Sequence, residues 1–427
     1  MSPEDGVNCT PTSAIAAYRD NILIEACGPI FSRAKWLRHL THLPERPNVS
    51  RQLGPEATIH QALGLRALYT PSLEALQIAG LIDQMIRQSY VDRNPKSPAT
   101  WQGIYPNQPI RPPRTVPPIA AFVTGVSGTG KSTAIERALS RFPQVIEHKK
   151  FPTMKSPLKQ LVHLKINIPP SGSAIDFVDA LWDATEAALG EQRPDFGSSR
   201  PRRSFREFSL WERFTRAHFL GLLCLDEIQN LFKLETLRGR TTAKARGEGV
   251  ELRIKDDEAL KLILHVLNEG SFSTLAAGTP DGMAVFASRF STGQRLSTLG
   301  FTTLPFADNP DSHFYADVLL PALEPYQWTR TKLRCDPEFR KIHHALTAGI
   351  PRVLVASWFL VEARAISRGA HTISIDDFKA VMRRELSPIA PAISALLSGE
   401  PGQQQRYEDL LPLDPSFWST LFGSHRL

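Results

Sequence analysis

One stretch in the first half of the chain has residue types and spacing suited to binding phosphate. It fits the pattern G-x-x-x-x-G-K-[ST] and reads Gly125-Val126-Ser127-Gly128-Thr129-Gly130-Lys131-Ser132, followed by Thr133. Glycines at these positions let successive backbone N–H groups point at phosphate oxygens, assisted by the dipole of a following helix. Lys131 would neutralise the outer phosphates, and the Ser132 hydroxyl would ligate Mg²⁺. We therefore predict that residues 125–133 bind ATP with Mg²⁺; the alternative is a Gly/Ser-rich turn with an incidental lysine.

A pair of carboxylates follows about a hundred residues later, directly after the apolar run LLCL at 222–225. Asp226 ends this predicted strand, where a carboxylate reaches the magnesium shell, so we assign it with Ser132 as a metal ligand. Glu227 is the better candidate for polarising an attacking water as general base. An acidic pair in this place is also common as the N-terminal charge of a helix.

Two further positions are candidates for sensing the outer phosphate. Thr279 follows the apolar run at 273–277 and would lie where the carboxyl edge of a sheet meets the phosphate. Arg352 follows Pro351, a residue suited to the first turn of a helix. Cations are disfavoured at helix N-termini, so this arginine indicates an anionic partner. The alternatives are a simple turn at Thr279 and a plain surface arginine.

Arg289 and Arg295 are candidates for an arginine finger. If protomers form a ring or a helix, one of them would reach the neighbouring protomer's outer phosphate. The sequence does not choose firmly between them, and a solvated surface is the alternative for both.

The elements that must position these residues alternate between strand and helix patterns. Strands are predicted at 119–124, 161–168, 222–226 and 273–277, and helices at 73–89, 133–142, 174–189 and 258–268. Strands separated by helices favour a parallel sheet covered on both faces. Three helices follow at 339–347, 353–367 and 376–386, the last capped by Ser374 with Asp377. The predicted fold class is α/β, with a small helical domain after the core.

Composition sets broad limits on the class of protein. With 42% hydrophobic and 22% charged residues over 427 positions, the chain is ordinary globular protein with room for two or three cores. No apolar run is long enough to cross a bilayer, and the start lacks the pattern of a signal peptide. The four cysteines form no close pair, which argues against a disulfide framework. We expect a cytoplasmic protein with no membrane partner.

The chain is basic, with a net charge of +7, which favours polyanionic partners. Its cations cluster in three places, each of which is alternatively a solvated loop: Lys149, Lys150, Lys155 and Lys159; Arg200, Arg202, Arg203 and Arg206; Arg238, Arg240, Lys244 and Arg246. No helix-turn-helix or zinc-finger pattern accompanies them. We therefore expect contact with the DNA backbone without base reading.

The phosphate loop, Asp226 with Glu227, Thr279 and Arg352 together resemble an AAA+ ATPase. More narrowly, the chain resembles the TnsC/TniB family, the ATP-dependent regulators of Tns-type DNA transposition. The resemblance extends from about residue 17 to 412, and its specific part lies outside the nucleotide motifs. The segments concerned are AYRDN at 17–21, IEA at 24–26, YVDRNP at 90–95, LDEIQ at 225–229, Gly278-Thr279-Pro280, and ELSP at 385–388 through RYEDL at 406–410.

The resemblance implies a P-loop AAA+ core followed by a helical lid. We expect an N-terminal region with a Pro-rich linker (1–110), the core (111–308), the lid (309–395) and a C-terminal tail (396–427). It also implies a ring or helical filament on duplex DNA that links a target-selector protein to the transposase and disassembles on slow, switch-like ATP hydrolysis. Two departures stand out: the chain ends soon after the lid, without the family's longer extension, and residues 233–257 look long and charged.

Three other readings compete with this one. The protein would be a nucleotide-bound scaffold if hydrolysis is incidental to its assembly. It would be an origin initiator or helicase loader of the same superfamily, although no dedicated DNA-reading domain is recognisable. A processive motor is the least favoured.

Overall fold

The chain folds into two compact units. The structure, a computed structural model, describes residues 9–47, 53–104, 119–149, 157–194, 204–234, 252–254, 256–269, 271–280, 282, 299–404 and 407. The first unit comprises Met1–Leu37, Glu74–Thr124 and Ser132–Thr303. The second comprises Arg38–Leu73, Gly125–Lys131 and Leu304–Leu427. The domain boundaries expected at 110, 308 and 395 remain predictions.

The strands of the described residues are short. They are β1 (Cys9–Thr10), β2 (Ile30–Phe31), β3 (Ala120–Gly125), β4 (Val145–His148), β5 (Leu158–Leu161), β6 (His163–Asn167), β7 (Leu222–Asp226), β8 (Phe232–Leu234), β9 (Leu252–Ile254), β10 (Ser273–Gly278) and β11 (Phe301–Leu304).

The α-helices occur before, between and after these strands in the sequence. Up to residue 269 they are α1 (Ile22–Ala26), α2 (Arg33–Leu40), α3 (Pro55–Leu63), α4 (Leu73–Gln88), α5 (Pro98–Ile104), α6 (Lys131–Leu139), α7 (Ala174–Leu189), α8 (Ser204–Ala217) and α9 (Asp257–Glu269). Beyond residue 304 they are α10 (Leu320–Leu323), which continues a π-helical turn at Phe314–Leu319, α11 (Pro337–Thr347), α12 (Pro351–Ser367), α13 (Ile375–Arg384), α14 (Ala390–Ser398) and α15 (Pro401–Gln404).

A five-stranded sheet with the order β11-β3-β10-β7-β6 forms the centre of the first unit. Its pairs β3–β10, β10–β7 and β7–β6 are parallel. Every residue of β3, β7 and β10 is buried, as expected for strands covered on both faces. The predicted α/β fold class is therefore confirmed. Because Gly278 lies opposite Thr124 and Ala276 opposite Leu225, the carboxyl ends of the three strands meet at one edge.

The strand predicted at 161–168 is wrong in one respect, because it is two strands. β5 pairs antiparallel with β4, whereas β6 joins the central sheet beside β7. The change of partner occurs at Val162, whose N–H donates to Gln144 O and whose carbonyl accepts from Leu222 N. An alternating pattern indicates a half-buried strand but does not identify the strand it pairs with.

Helix α8 lies in a segment for which the sequence predicted only a basic cluster, alternatively a solvated loop. Phe208, Trp211 and Thr215 recur at helical spacing and are buried. Arg206 lies exposed on this helix rather than in a loop. The tertiary structure therefore places one member of the second basic cluster on a helix surface.

The second unit has its own core of helices. The three helices predicted there are confirmed, and they begin slightly earlier than expected, at Pro337, Pro351 and Ile375. Their core centres on aromatic contacts among Phe339, His343, Trp358 and Phe378. Ser374 and Asp377 form the predicted capping box at the start of α13.

Among the described helices, no single one is long and apolar enough to cross a membrane. Among the described residues, one pair of helices, α11 and α12 taken together, has the length and apolar composition of a membrane span, but the two helices are bent by 111° relative to each other. All four cysteines are free.

Candidate functional site

The phosphate-binding motif is a tight loop between the last residue of β3 and the start of α6. Gly128 and Gly130 have φ of +86° and +97°, which favours glycine. A Cβ added to Gly128 would lie 3.0 Å from Ile350 Cγ2 and 3.2 Å from Arg352 Cβ. Within the second unit, the loop backbone is therefore packed directly against the first turn of α12.

Lys131 is held over the loop that precedes it. Its ammonium donates to the carbonyl oxygens of Gly125, over 2.7 Å, and Val126, over 3.2 Å. The Thr129 hydroxyl donates to the same Val126 oxygen over 2.8 Å. The lysine charge is thus placed beside the concave backbone before any ligand arrives. Ser132 and Thr133 continue α6 and are half-buried and exposed, respectively.

Arg352 is the second residue of α12 and has an exposed side chain. Its backbone N–H donates to Gly128 O over 3.3 Å. A cavity of about 610 Å³ opens beside this contact, lined by Val126, Ser127 and Gly128, by the start of α12, and by apolar residues of α14. The structure therefore brings together the loop and the arginine that the sequence singled out separately.

Asp226 lies in the first unit at the end of β7 and is 3% exposed. Its carboxylate lies 3.2 Å from the ammonium of Lys165 on the neighbouring strand β6. Lys165 also contacts Glu136 at 2.6 Å. Burial alone would lower the pKa of Lys165, but the carboxylates of Glu136 and Asp226 raise it above its ordinary value. Lys165 therefore stays charged and neutralises Asp226.

Glu227 adopts an unusual backbone conformation, with φ of +58°. For a residue other than glycine this region costs on the order of 1–3 kcal/mol and is often found at functional sites. Its N–H donates to Asp226 Oδ1 over 2.9 Å, and its carboxylate accepts a hydrogen bond from the Gln229 side chain. The backbone N–H and the side-chain carboxylate of Glu227 are therefore both held by hydrogen bonds.

Thr279 follows β10 and is 3% exposed. Its N–H donates to Gln229 Oε1 over 3.2 Å. Its hydroxyl is buried and has no hydrogen-bond partner among the described residues. The hydroxyl is therefore available to a ligand. Asp226, Glu227 and Thr279 are thus brought to the same edge of one sheet.

These observations fit a magnesium nucleotide. Within the first unit, Thr279 has an unused hydroxyl; within the second unit, the loop backbone lies too close to its neighbours for a side chain at Gly128. No group of three or more His, Cys, Asp or Glu side chains among the described residues is placed to hold a metal ion by itself.

Sequence reasoning missed two residues of the site, Lys165 and Gln229. Lys165 carried a usable signal, because a lysine within an apolar strand needs a buried carboxylate nearby. Gln229 appeared in the family resemblance, but nothing in its spacing showed that it connects Glu227 with Thr279.

Several predicted residues lie outside the described part of the chain. They are Arg289 and Arg295, and, from the basic clusters, Lys150, Lys155, Arg200, Arg202, Arg203, Arg238, Arg240, Lys244 and Arg246. Of the remainder, Lys149 and Arg206 are exposed, and Lys159 pairs with Glu191 at 2.8 Å. The long charged stretch at 233–257 includes most of β8 and all of β9, and these two strands pair antiparallel.

Residues 119–284 match the family model described as an AAA domain. The match covers most of the central parallel sheet, and this sheet with flanking helices and a helical region after it is the α/β fold predicted from the sequence. The match does not point to TnsC/TniB specifically. No curated protein matches the chain.

Solved structures similar to the chain include the Orc1 protein of Aeropyrum pernix in complex with DNA, with 15% identity and a TM-score of 0.40 over 65% of this chain and 62% of that one. Cdc6p from Pyrobaculum aerophilum has 15% sequence identity and a TM-score of 0.39, and the match covers 71% of this chain and 78% of that one. The structure of Drosophila ORC bound to DNA has 11% sequence identity and a TM-score of 0.43, and the match covers 92% of this chain and 86% of that one. The match spans less than two thirds of the Aeropyrum protein. Scores this low do not indicate a shared function.

Proposed function

We propose that this protein is an ATP-dependent regulator of DNA transposition. In its ATP-bound state it assembles on duplex DNA as a ring or helical filament and connects a target-selector protein with the transposase. Hydrolysis of ATP then releases the assembly. The output of the cycle is a change in self-association rather than mechanical force.

The arrangement of Asp226, Glu227 and Thr279 is the observation that supports ATP hydrolysis best. Asp226 would hold Mg²⁺, which when bound neutralises charge on the phosphate oxygens. Glu227, beside it, would accept a proton from the attacking water. The unpartnered hydroxyl of Thr279 would donate to the outer phosphate, since no described group competes for it.

The phosphate-binding loop and Arg352 are the other residues that the sequence predicts to contact the nucleotide. The backbone of residues 125–133 would surround the phosphates, with the Lys131 ammonium beside them and the Ser132 hydroxyl on Mg²⁺. Arg352 would add a positive charge at the outer phosphate. Its contact with Gly128 gives a physical reason for a response of α12 to what the loop binds.

Contacts near the N-terminus support the narrower proposal of a transposition regulator. Two segments that resemble the TnsC/TniB family, at 17–21 and 90–95, pack against each other. The Asn21 side chain donates to Tyr90 O over 2.7 Å, and the Asn94 side chain donates to Asp20 O over 3.1 Å. These two segments are thus in contact in the folded chain.

Contact with DNA would be through phosphates. The net charge of +7 favours such contact, and Lys149 and Arg206 are exposed cations available for it. Arg289 or Arg295 would act across the interface between protomers as the arginine finger.

Electron microscopy of the full chain with duplex DNA tests this proposal, comparing a non-hydrolysable ATP analogue with ADP. We expect filaments or rings with the analogue and none with ADP. Lys131→Ala should fail to assemble in either state, whereas Glu227→Gln should assemble with ATP and persist. Failure of the wild-type chain to assemble on DNA in either state would contradict the function while leaving the ATPase domain unaffected.

Transposition assays separate the regulator from its alternatives. A regulator timed by hydrolysis should lose target discrimination when Glu227 is replaced by Gln. Unchanged insertion behaviour in Glu227→Gln would favour a scaffold in which hydrolysis is incidental. DNA assembly without any response to a transposase would favour an origin initiator or helicase loader.

A further inference from the structure

Gln229 lies between the two strand ends of the candidate ATPase site. It belongs to a 3₁₀ turn, Ile228–Leu231, that follows Glu227 directly. Its side-chain NH₂ donates to the Glu227 carboxylate, and its side-chain oxygen accepts from Thr279 N–H over 3.2 Å. A single amide therefore joins the end of β7 to the end of β10.

The chemistry of the amide fixes its orientation. With the NH₂ toward Glu227 and the oxygen toward Thr279, each group meets a complementary partner. The reversed orientation would place oxygen against carboxylate and NH₂ against N–H, and neither contact is a hydrogen bond. Only an amide of this length meets both demands at once, because a carboxylate has no donor and an apolar side chain has neither group.

The surroundings leave the amide little freedom. A Cβ added to Gly278 would lie 2.8 Å from Gln229 Oε1 and 2.6 Å from Ile228 Cγ2. A Cβ added to Gly282 would lie 3.0 Å from the Gln229 backbone nitrogen. Glycine at these two positions allows the turn after β7 to pack tightly against the chain after β10. The hydrogen bonds of Gln229 are therefore part of a close-packed contact rather than a loose surface arrangement.

We propose that Gln229 is a positioning residue for ATP hydrolysis, through which the end of β10 sets the orientation of the Glu227 carboxylate. This inference rests on the proposed ATPase function. Thr279 has a buried hydroxyl available to a ligand. If ligand contact displaces Thr279, its N–H moves the Gln229 amide, and the Gln229 amide in turn moves the Glu227 carboxylate. The left-handed backbone of Glu227, whose N–H donates to Asp226, fixes the position from which its carboxylate reaches the Gln229 amide.

Three variants of the full chain test the proposal, with kcat and KM measured for ATP in the presence of Mg²⁺. Gln229→Met keeps the length of the side chain and removes both hydrogen bonds. Gln229→Glu keeps the acceptor for Thr279 but replaces the donor with a second carboxylate. Asn230→Leu is the matched control, since Asn230 lies on the same turn and its side chain donates over 2.8 Å to Ile168 O, away from Thr279.

We expect Gln229→Met to lower kcat at least about tenfold while KM changes less than about threefold, because orientation of a base contributes to the chemical step and not to ground-state binding. Asn230→Leu should stay within about threefold in both. In Gln229→Glu, the base loses its donor and faces a second carboxylate, so kcat should fall as in Gln229→Met. Asp226, the other nearby carboxylate, is neutralised by Lys165 in all three variants.

Hydrogen–deuterium exchange adds a readout that does not depend on activity. The Thr279 amide should exchange faster than wild type in Gln229→Met, which lacks an acceptor, and at the wild-type rate in Gln229→Glu, which keeps one. Affinity for a fluorescent ATP analogue should be unchanged within about threefold in both.

Two results would overturn the positioning role alone: a kcat for Gln229→Met within threefold of wild type, or an equal loss in Asn230→Leu. If wild-type hydrolysis is absent or insensitive to Glu227→Gln, the proposed ATPase function fails and the role of Gln229 fails with it. If the wild-type protein hydrolyses ATP and the Gln229 variants hydrolyse it at the same rate, only the positioning role of Gln229 is refuted.

Discussion

The backbone N–H of Arg352 donates a hydrogen bond to the carbonyl oxygen of Gly128 over 3.3 Å. This contact joins the first turn of α12 to the middle of the phosphate-binding loop. It uses backbone atoms, so the Arg352 side chain stays free for a ligand. A cation at a helix N-terminus is unfavourable by itself, and an anion beside the loop would offset that effect.

Gly128→Ala should weaken ATP binding at least about tenfold, equivalent to about 1.4 kcal/mol. The added methyl would lie 3.0 Å from Ile350 Cγ2 and 3.2 Å from Arg352 Cβ, at a φ of +86°. Titration with a fluorescent ATP analogue measures the loss. Gly190→Ala is the matched control, because its φ is +65° and no atom lies within 4 Å of the added Cβ. Equal affinities in all three proteins would contradict the close packing described for the loop.

Lys165→Met should destabilise the ligand-free protein, because it leaves the buried Asp226 carboxylate without its cation. Removing one partner of a buried pair costs on the order of 3–5 kcal/mol. Added Mg²⁺ and ATP should restore part of this stability, so the rise in Tm on ligand addition should be larger in Lys165→Met than in wild type. Lys159→Met is the control, since the pair of Lys159 with Glu191 is about a third exposed on each side, at 31% and 39%. A smaller ligand-induced rise in Lys165→Met would contradict the role assigned to Asp226.

Glu362→Gln should stabilise the protein at pH 8 and much less at pH 5. Burial raises the pKa of Glu362 to about 7, and the hydrogen bond from Trp328 N–H and the charge of Lys332 only partly oppose it. The folded protein therefore binds this proton more tightly than the unfolded chain. Its favourable contribution is complete below the ordinary glutamate pKa of 4.5 and is lost as the pH rises through about 7.

Each unit of pKa corresponds to about 1.4 kcal/mol, so the difference between the two pH values should amount to a few kcal/mol. Urea unfolding at the two pH values measures it. Glu385→Gln is the control, because Glu385 is exposed and pairs with Arg364 at 3.4 Å. A gain for Glu362→Gln that does not depend on pH would show that Glu362 is not protonated in the folded state.

Asn21→Asp should destabilise the first unit by about 1–3 kcal/mol, because it replaces a donor to the buried Tyr90 carbonyl with a carboxylate oxygen that faces this carbonyl. The Tyr90 carbonyl keeps its second donor, the Arg93 N–H, over 2.9 Å. The carboxylate would still cap α1 by accepting from Leu23 N–H, as the Asn21 side chain does over 3.1 Å. Chemical unfolding should therefore separate the lost contact with Tyr90 from the retained cap. Asn94→Asp, at the exposed contact with Asp20, should change stability less. Similar effects of the two variants would mean that burial of Asn21 is not decisive.

The sequence alone was sufficient for the local parts of the site. The loop at 125–132, the apolar strand before Asp226 and the helix begun by Pro351 each depend on contiguous residues, so their patterns remain visible without the fold. Contiguity also explains why the capping box of Ser374 with Asp377 was predicted correctly.

Only the tertiary structure decided which of these parts meet. Gln229 joins Glu227 to Thr279 across 50 residues of chain, and Lys165 reaches Asp226 from a neighbouring strand. Pairing between strands follows from the packing of the whole sheet, in which β6 and β10 lie on either side of β7. Periodicity within one segment carries no information about its neighbours in space. For this protein, the sequence determined which groups are available for ATP chemistry, and packing decided how those groups hold one another in place.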